Sequence, residues 1–363
     1  MKKVLTLFIF LFIHTSSFSS DLKFEVIVTD ISVPWSFTFL PDSSILITER
    51  KGQLIHYKNG EKLFIKNLPK IIAKNQGGLL DVELHPNYKS NGWIYISYCS
   101  SNDKNDGMNT SIMRFQIKNN TAINKEVIYK ATPNSKRSIH FGSRIIFDNQ
   151  NYLFFSIGDR GNRDLNPQDI TRDGGKIYRL HDDGRIPIDN PFVDEKNSKK
   201  AIYSYGHRNT QGMFYDIENN QIWTHEHGPR GGDEINIIEA GKNYGWPLAS
   251  YGINYIGTKF TNKTTILGME DPLHYWVPSI APSGMIMIKN SKYESLNNSI
   301  LIGSLKFQYL HQCVLEVGKN GITKIKDEKK LLEDIGRVRS IEIDDNDNIY
   351  VGVENLGIIK LLE

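Results

Sequence analysis

Apolar residues in this chain come in short runs, and Asp, Asn, Pro or Gly ends nearly every one. An apolar run, an Asp/Asn/Pro turn, a second apolar run and then a glycine or charged loop make one unit. Six copies are legible: WSFTFLPDSSILITERKGQLIHY from Trp35, GLLDVELHPNYKSNGWIYISYC from Gly78, SRIIFDNQNYLFFSIGDRG from Ser143, GMFYDIENNQIWTHEHG from Gly212, GMIMIKNSKYESLNNSILIGSLK from Gly284 and VRSIEIDDNDNIYVGVENLGIIKLL from Val338. The runs are rich in Ile, Val, Tyr and Phe, and almost no stretch repeats its apolar residues at the helical period, so the expected class is all-β. The copies recur about every 40 to 70 residues, which suits a propeller blade with its loops. The expected fold is a six-bladed β-propeller of four-stranded antiparallel blades. Radial repetition leaves only short edges exposed, and FEVIVTD near the start is expected to complete the last blade and close the ring. The segments 101–140 and 180–200 read as long polar loops, either cleft rims or plain solvated connections.

Composition changes this picture little. Of 363 residues, 39% are hydrophobic and 23% charged, ordinary for a globular chain. A net charge of +3 without a Lys/Arg-dense face interleaved with aromatics argues against a nucleic-acid partner. Residues 1–20 read as a signal peptide: Lys2 and Lys3, then an apolar stretch from Val4 to Ile13, then small residues near Ser17 to Ser20. Ten apolar residues are too few for stable membrane insertion. The expected organisation is therefore a signal peptide over 1–20 and one propeller domain over 21–363, located in the periplasm or secreted. Cys99 and Cys313 are expected to be unpaired, buried, small apolar residues.

Charge density is highest from Ala201 to Trp246, where His207, Arg208, Asn209, His225, Glu226, His227, Arg230, Asp233 and Glu234 crowd between glycines. Core strands do not need such density, and polar turns on a rigid scaffold are where sites sit. In a radial fold the loops at one end form a shared basin, so residues just after an inner strand are expected to meet. Collected on that rule are Gln76, His140, Asp159, Arg160, His207, Arg208, Asn209, Gly228, Pro229, Lys306, Arg337 and Arg339. The set offers one histidine base, one carboxylate and several cations, and suits a small polyanion.

NQGGLLDVELHP, HFGSRIIF, SIGDRG, YGHRNTQG and HEHGPRGGDEINIIEAGKNYGWP closely resemble the soluble sugar dehydrogenases that use pyrroloquinoline quinone, the aldose or glucose/sorbosone dehydrogenase family. The likeness runs through the chain in order, and GHRN and EHGPRGGDE are its most specific blocks. It implies a six-bladed propeller that oxidises the C1 hydroxyl of an aldose to the lactone, with hydride passing to the quinone. His140 then matches the general base and Asp159 the carboxylate behind it. Arg208 matches the arginine beside the quinone carbonyl, and Gln76 and Asn209 match polar contacts to substrate and cofactor. Lys306, Arg337 and Arg339 match the cations that bind the cofactor's carboxylates; they are expected to lie opposite His140 and to lack a full set of partners until it arrives. Gly228 and Pro229 match backbone carbonyls holding Ca²⁺. The chain departs from the family pattern at Asp81, where a small residue is usual, and at Thr210, in place of proline. The sugar, the electron acceptor and the choice between monomer and homodimer stay open.

Blander readings accompany these. His225 and His227 share a strand face and are expected to serve structure rather than ligate metal. Asp233 and Glu234 either bind a second calcium ion or cap a turn. Salt bridging is the plain alternative for Arg337 and Arg339. DDNDN at 344–348 is expected to be a hairpin turn, lacking the glycine and distal glutamate of an EF-hand. Against the enzyme stands a non-catalytic propeller that binds a protein or glycan on its top face; a calcium-propeller lactonase would need more acids at inner-strand ends than the sequence shows.

Overall fold

The structure, a computed structural model, describes residues 22–101, 106–318 and 323–362. The expected signal peptide lies outside them. Among the described residues no helix is long and apolar enough to cross a membrane.

Six four-stranded antiparallel sheets form a ring. Their inner strands are Pro34–Phe39, Leu79–Leu84, Ile145–Phe147, Thr210–Asp216, Pro282–Ile288 and Val338–Ile343. These are the strands that open the six copies seen in the sequence. Phe24–Val28 pairs with Gly357–Leu361 and so supplies the outer strand of the sixth blade, closing the ring as expected.

Burial explains which strands were legible. The second strands are buried along their whole length, as in Leu153–Ile157 (LFFSI) and Ser299–Ser304 (SILIGS), and therefore read as continuous apolar runs. The outer strand of the fifth blade meets water and reads as polar: Thr323–Leu331 is TKIKDEKKL. The expected loop at 101–140 holds two ten-residue strands, Asn109–Lys118 and Thr121–Lys130. The first opens with Asn, Thr and Ser, whose buried polar atoms are bonded locally: Asn109 Nδ2 donates to Pro133 O at 2.7 Å and Thr110 Oγ1 to Phe141 O at 2.8 Å. Satisfied polar groups of this kind are tolerated in a core but erase its hydrophobic signature. Residues 180–200 form turns, as expected.

The core is divided among the blade interfaces. Val28, Phe37, Ile47 and Ile358 pack the first blade against the sixth, and Leu46, Leu54, Val82 and Phe115 pack the first against the second. Similar clusters fill the other four interfaces. Burying each such side chain stabilises the fold by roughly 1.5–3 kcal/mol. Trp35, Leu80, Cys99, Met108 and Phe141 form a further cluster, and three of them floor the cavity described below. Cys99 and Cys313 are both free and buried.

Candidate active site

Chain direction decides which loops share an end of the ring. Gln76, His140, Arg208 and Asn209 precede inner strands, whereas Asp159, Gly228, Pro229 and Lys306 follow second strands. In an up-and-down blade those two positions lie on the same face. The rule that residues just after an inner strand meet is therefore wrong; such residues reach the opposite end. The selected residues gather because they sit at the entry of the first strand or the exit of the second.

His140 occupies the left-handed region at φ 53, which costs a non-glycine residue about 1–2 kcal/mol. Two contacts hold it there: its N–H donates to Gln76 Oε1 at 2.7 Å, and its carbonyl accepts from Arg160 N at 3.3 Å. Gly158 lets the segments close up. A Cβ there would lie 2.4 Å from His140 O and 2.7 Å from Asn209 Oδ1. Asn209 Oδ1 in turn accepts the Gly142 N–H at 3.1 Å.

The imidazole tautomer follows from its partners. His140 Nδ1 lies 2.7 Å from Asp159 Oδ1, and that carboxylate also accepts from Gly161 N at 2.6 Å and from Trp246 Nε1 at 3.0 Å. Burial alone would raise the Asp159 pKa, but the His140 bond, with Arg208 and Gly161 helping, holds it below the usual carboxylate value. An ionised Asp159 accepts a hydrogen bond from Nδ1–H, which keeps the proton on Nδ1 and the lone pair on Nε2. Burial and then the Arg208 charge lower the His140 pKa below that of an ordinary imidazole, against the opposing pull of Asp159. Arg208 Nη2 lies 3.4 Å from that Nε2. The arginine is clamped by His227 O, which accepts from Nη1 at 2.8 Å, and by Glu226, which accepts from its backbone N–H at 2.6 Å. Arg208 Nε is buried without a hydrogen-bond partner.

Two neighbouring cavities share Pro229 and Tyr255 in their walls. The smaller, about 590 Å³, is lined by His140, Asp159, Arg208 and Trp246. The larger, about 1230 Å³, is lined by Gln76, Asn209, Gly228, Pro229, Lys306, Arg337 and Arg339, with Arg50 and Arg230. It has five cationic residues in its wall and no Asp or Glu. A concavity walled by an excess of one sign of charge attracts the other, here an anion.

The three expected cations do share the large cavity, while His140 lies on the smaller one. Their partners differ from expectation. Arg337 Nε bonds Glu354 Oε2 at 2.9 Å, and Arg339 pairs with Glu354 Oε1. These two are thus held before any ligand binds, because Glu354 stands behind them, outside the cavity wall. Lys306 is exposed and makes no ion pair among the described residues; its ammonium lies 4.7 Å from the Phe307 ring.

The loop at Gly228 is packed on its own carbonyls. A Cβ at 228 would lie 2.2 Å from Gly231 O and 2.3 Å from Gly232 O. Asp233 ties this loop down, accepting from Gly228 N at 2.8 Å, Ser279 Oγ at 2.7 Å and Ala281 N at 2.9 Å. It caps a turn, one of its two expected roles. His225 and His227 bond the carbonyls of Ser283 and Pro282 on the next blade, and burial drives the His227 pKa down to about 3. Both are structural, as expected. The residues 344–348 form a hairpin turn whose Asp344 Oδ1 accepts from the N–H groups of Asn346 and Asn348, both at 2.9 Å.

Sequence reasoning passed over Trp246, which braces Asp159 and lies 5.3 Å from the Arg208 guanidinium carbon, and over Arg50. Arg50 follows the second strand of its blade, as Asp159 nearly does in its own, so the corrected position rule would have found it.

Residues 31–360 match the family model for glucose/sorbosone dehydrogenase. An aldose sugar dehydrogenase (YliI) of Escherichia coli is 37% identical over 339 residues, covering 92% of this chain and 90% of that protein. The structure of the soluble aldose sugar dehydrogenase from Escherichia coli in its apo form superimposes with a TM-score of 0.88 at 35% identity, covering 94% of this chain and 99% of that one. The PQQ-bound form of aldose sugar dehydrogenase from Streptomyces coelicolor gives a TM-score of 0.78 at 26% identity, covering 94% and 97%. The chain belongs to the glucose/sorbosone dehydrogenase family.

Proposed function

We propose that this protein oxidises the C1 hydroxyl of aldose sugars to the lactone, using pyrroloquinoline quinone (PQQ) and Ca²⁺. The observation that carries the reading is the 1230 Å³ cavity with five cations and no carboxylate in its wall, beside an imidazole whose free nitrogen faces Arg208. The charge of the tricarboxylate quinone suits that cavity, and Arg208, whose buried Nε has no partner, stands on the adjoining smaller one. Gly228 and Pro229 would hold Ca²⁺ through backbone carbonyls, hard oxygen donors of the kind this ion prefers.

When bound, the quinone supplies the hydride acceptor. His140 Nε2 takes the proton of the sugar C1 hydroxyl. Asp159 keeps the imidazole in the competent tautomer and favours the imidazolium as it forms. Arg208 stabilises the negative charge that develops beside it, as a donor held in place by His227 O and Glu226. Gln76 sets the backbone of His140, and Asn209 fixes the neighbouring turn; both face the larger cavity and would contact the cofactor there. Lys306, Arg337 and Arg339 bind its carboxylates through charge-assisted bonds. Residues 1–20 direct export to the periplasm or beyond, leaving 21–363 as the working domain.

Reconstitution tests this. The purified chain receives quinone and Ca²⁺, then a panel of aldoses with an electron-accepting dye. Sugar-dependent dye reduction that needs the quinone is expected, with a lactone as product. A chain that binds quinone but oxidises no aldose would be a non-catalytic propeller or an enzyme for another alcohol.

A further inference from the structure

A second cluster of ligand-type side chains lies away from the basin, between the fourth and fifth blades. His311 and Cys313 stand two apart on Leu310–Val317 and so share a strand face. Glu328, on the neighbouring strand Thr323–Leu331, is the direct cross-strand partner of Cys313. A ring nitrogen of His311, Cys313 Sγ and a Glu328 carboxylate oxygen all lie within 4.8 Å of one another. From the adjoining blade, His274 brings Nε2 to 3.2 Å from Glu328 Oε1.

The hydrogen bonds already present do not use up these groups. Glu328 Oε2 accepts from His311 Nε2 and Trp276 Nε1, both at 2.6 Å. That leaves His311 Nδ1 buried with no partner, and His274 Nε2 likewise makes no hydrogen bond despite its nearness to the carboxylate. The buried, unpartnered His311 Nδ1, in one cluster with a thiol and a carboxylate and beside a His274 Nε2 whose one polar contact among the described residues is the Glu328 carboxylate, leaves donor capacity that protein atoms do not fill. The cluster has a way in: Cys313 is fully buried at its back, while Glu328 is 33% and His274 23% exposed at its mouth.

We propose that His311, Cys313 and Glu328, with His274 as the fourth donor, form a structural Zn²⁺ site that staples the fourth blade to the fifth. The donor set selects the metal. Nitrogen and sulfur ligands suit zinc and other borderline ions, whereas calcium takes oxygen. Binding forms one Zn–S bond and releases the Cys313 thiol proton; each imidazole coordinates through a nitrogen, with a rotation of the partly exposed His274 bringing it onto the ion. No electron transfer occurs. The site is independent of sugar oxidation, since none of its residues lines either cavity of the basin.

The test uses the full mature chain without a polyhistidine tag, stripped with chelator and resupplied with saturating Ca²⁺. Titration with Zn²⁺ is expected to show one further equivalent bound and a raised unfolding temperature. Co²⁺ in its place is expected to give the near-ultraviolet band of a thiolate-to-cobalt charge transfer. Cys313→Ser should abolish that band, and His311→Gln should weaken Zn²⁺ binding by at least about tenfold. Glu328→Gln, close in shape, should weaken it as well and serves if Cys313→Ser fails to fold. No Zn²⁺ uptake above the Ca²⁺ background, or a Co²⁺ complex of the wild-type chain lacking the thiolate band, would overturn the proposal.

Discussion

The two ends of the propeller axis handle charge in opposite ways. At the basin end, Arg50, Arg230, Lys306, Arg337 and Arg339 surround a cavity with no acid in its wall. At the far end, Asp81, Glu83 and Glu342 come from inner strands and line a cavity of about 390 Å³ with Arg144 as its one basic residue among those described. The acids are managed internally. Asp81 accepts from Arg144 Nη1 at 2.9 Å and from Ile145 N at 2.6 Å. Burial, then the Glu342 and Asp81 charges, pushes the Glu83 carboxyl well above its usual range, and burial raises Glu342 to about 8. These groups can give up their charge by taking a proton. Guanidinium groups cannot, and one carboxylate, Glu354, answers only Arg337 and Arg339 among the five basin cations, so the basin keeps a net positive field that suits an anion from outside. A closed end reflects stability, and an end with unanswered charge reflects binding. Replacements should divide accordingly.

The largest effect is expected at the basin. His140→Ala should leave the fold and quinone binding intact while lowering turnover about 10²- to 10⁴-fold, the usual cost of losing a general base. Steady-state dye reduction against a parallel quinone titration checks it, and near-normal turnover would mean that another group takes the proton. The same assay over pH carries a sign. The base must be neutral, and burial with Arg208 lowers its pKa. The acid limb of the profile should therefore fall below the pH of an ordinary imidazole.

Next in size is Asp81→Ala at the far end. It strands a buried Arg144 whose guanidinium lies 4.6 Å from the Trp35 ring. Breaking a buried pair from one side costs about 3–5 kcal/mol. Urea denaturation should show that loss, with quinone affinity per folded molecule little changed. A large affinity loss without destabilisation would erase the distinction between the ends.

Arg339→Ala and Lys306→Ala sharpen it within the basin. Each should weaken quinone binding about tenfold or more, since a charge-assisted bond contributes roughly 1.5–3 kcal/mol. Only Arg339→Ala should also destabilise the free chain, because it takes a partner from Glu354. The free Lys306→Ala chain should unfold within about 0.5 kcal/mol of wild type, as exposed, unpaired side chains do. Both halves are readable from denaturation curves and quinone titrations of the two variants.

The last test, Glu342→Gln, is read as a change in pH dependence. A carboxyl whose folded pKa is raised from 4.5 to about 8 favours the folded state fully at low pH and loses that contribution as pH climbs through this window. The variant should flatten the fall in stability between those values and gain on wild type at the alkaline side. A steeper fall would show that Glu342 is ionised and paired in the folded chain.

Much of this was legible in the residues, and the reasons are local. Second strands such as LFFSI announce themselves because both faces are buried. The strands in 109–130 did not, because their ends are polar and internally bonded. The site segments were found through charge density and family likeness, but two facts escaped. Glu354, which braces Arg337 and Arg339 from 17 and 15 positions away, follows the second strand of its own blade, and it was passed over because the site was collected on the wrong strand end. The partner of Asp81, 63 positions away at Arg144, is visible only once two inner strands adjoin, so a departure from the family pattern proves to be half of an axial ion pair.

The central claim is that the basin recognises a polyanionic quinone by charge, and the most direct test compares two ligands. PQQ and its trimethyl ester, which masks all three carboxylates, are titrated into the mature chain with Ca²⁺ present, following binding by calorimetry. The free acid should bind one per chain and the ester at least about a hundredfold more weakly, as expected from losing several charge-assisted bonds. Equal affinity for the two, or no saturable binding of the acid, would contradict the account.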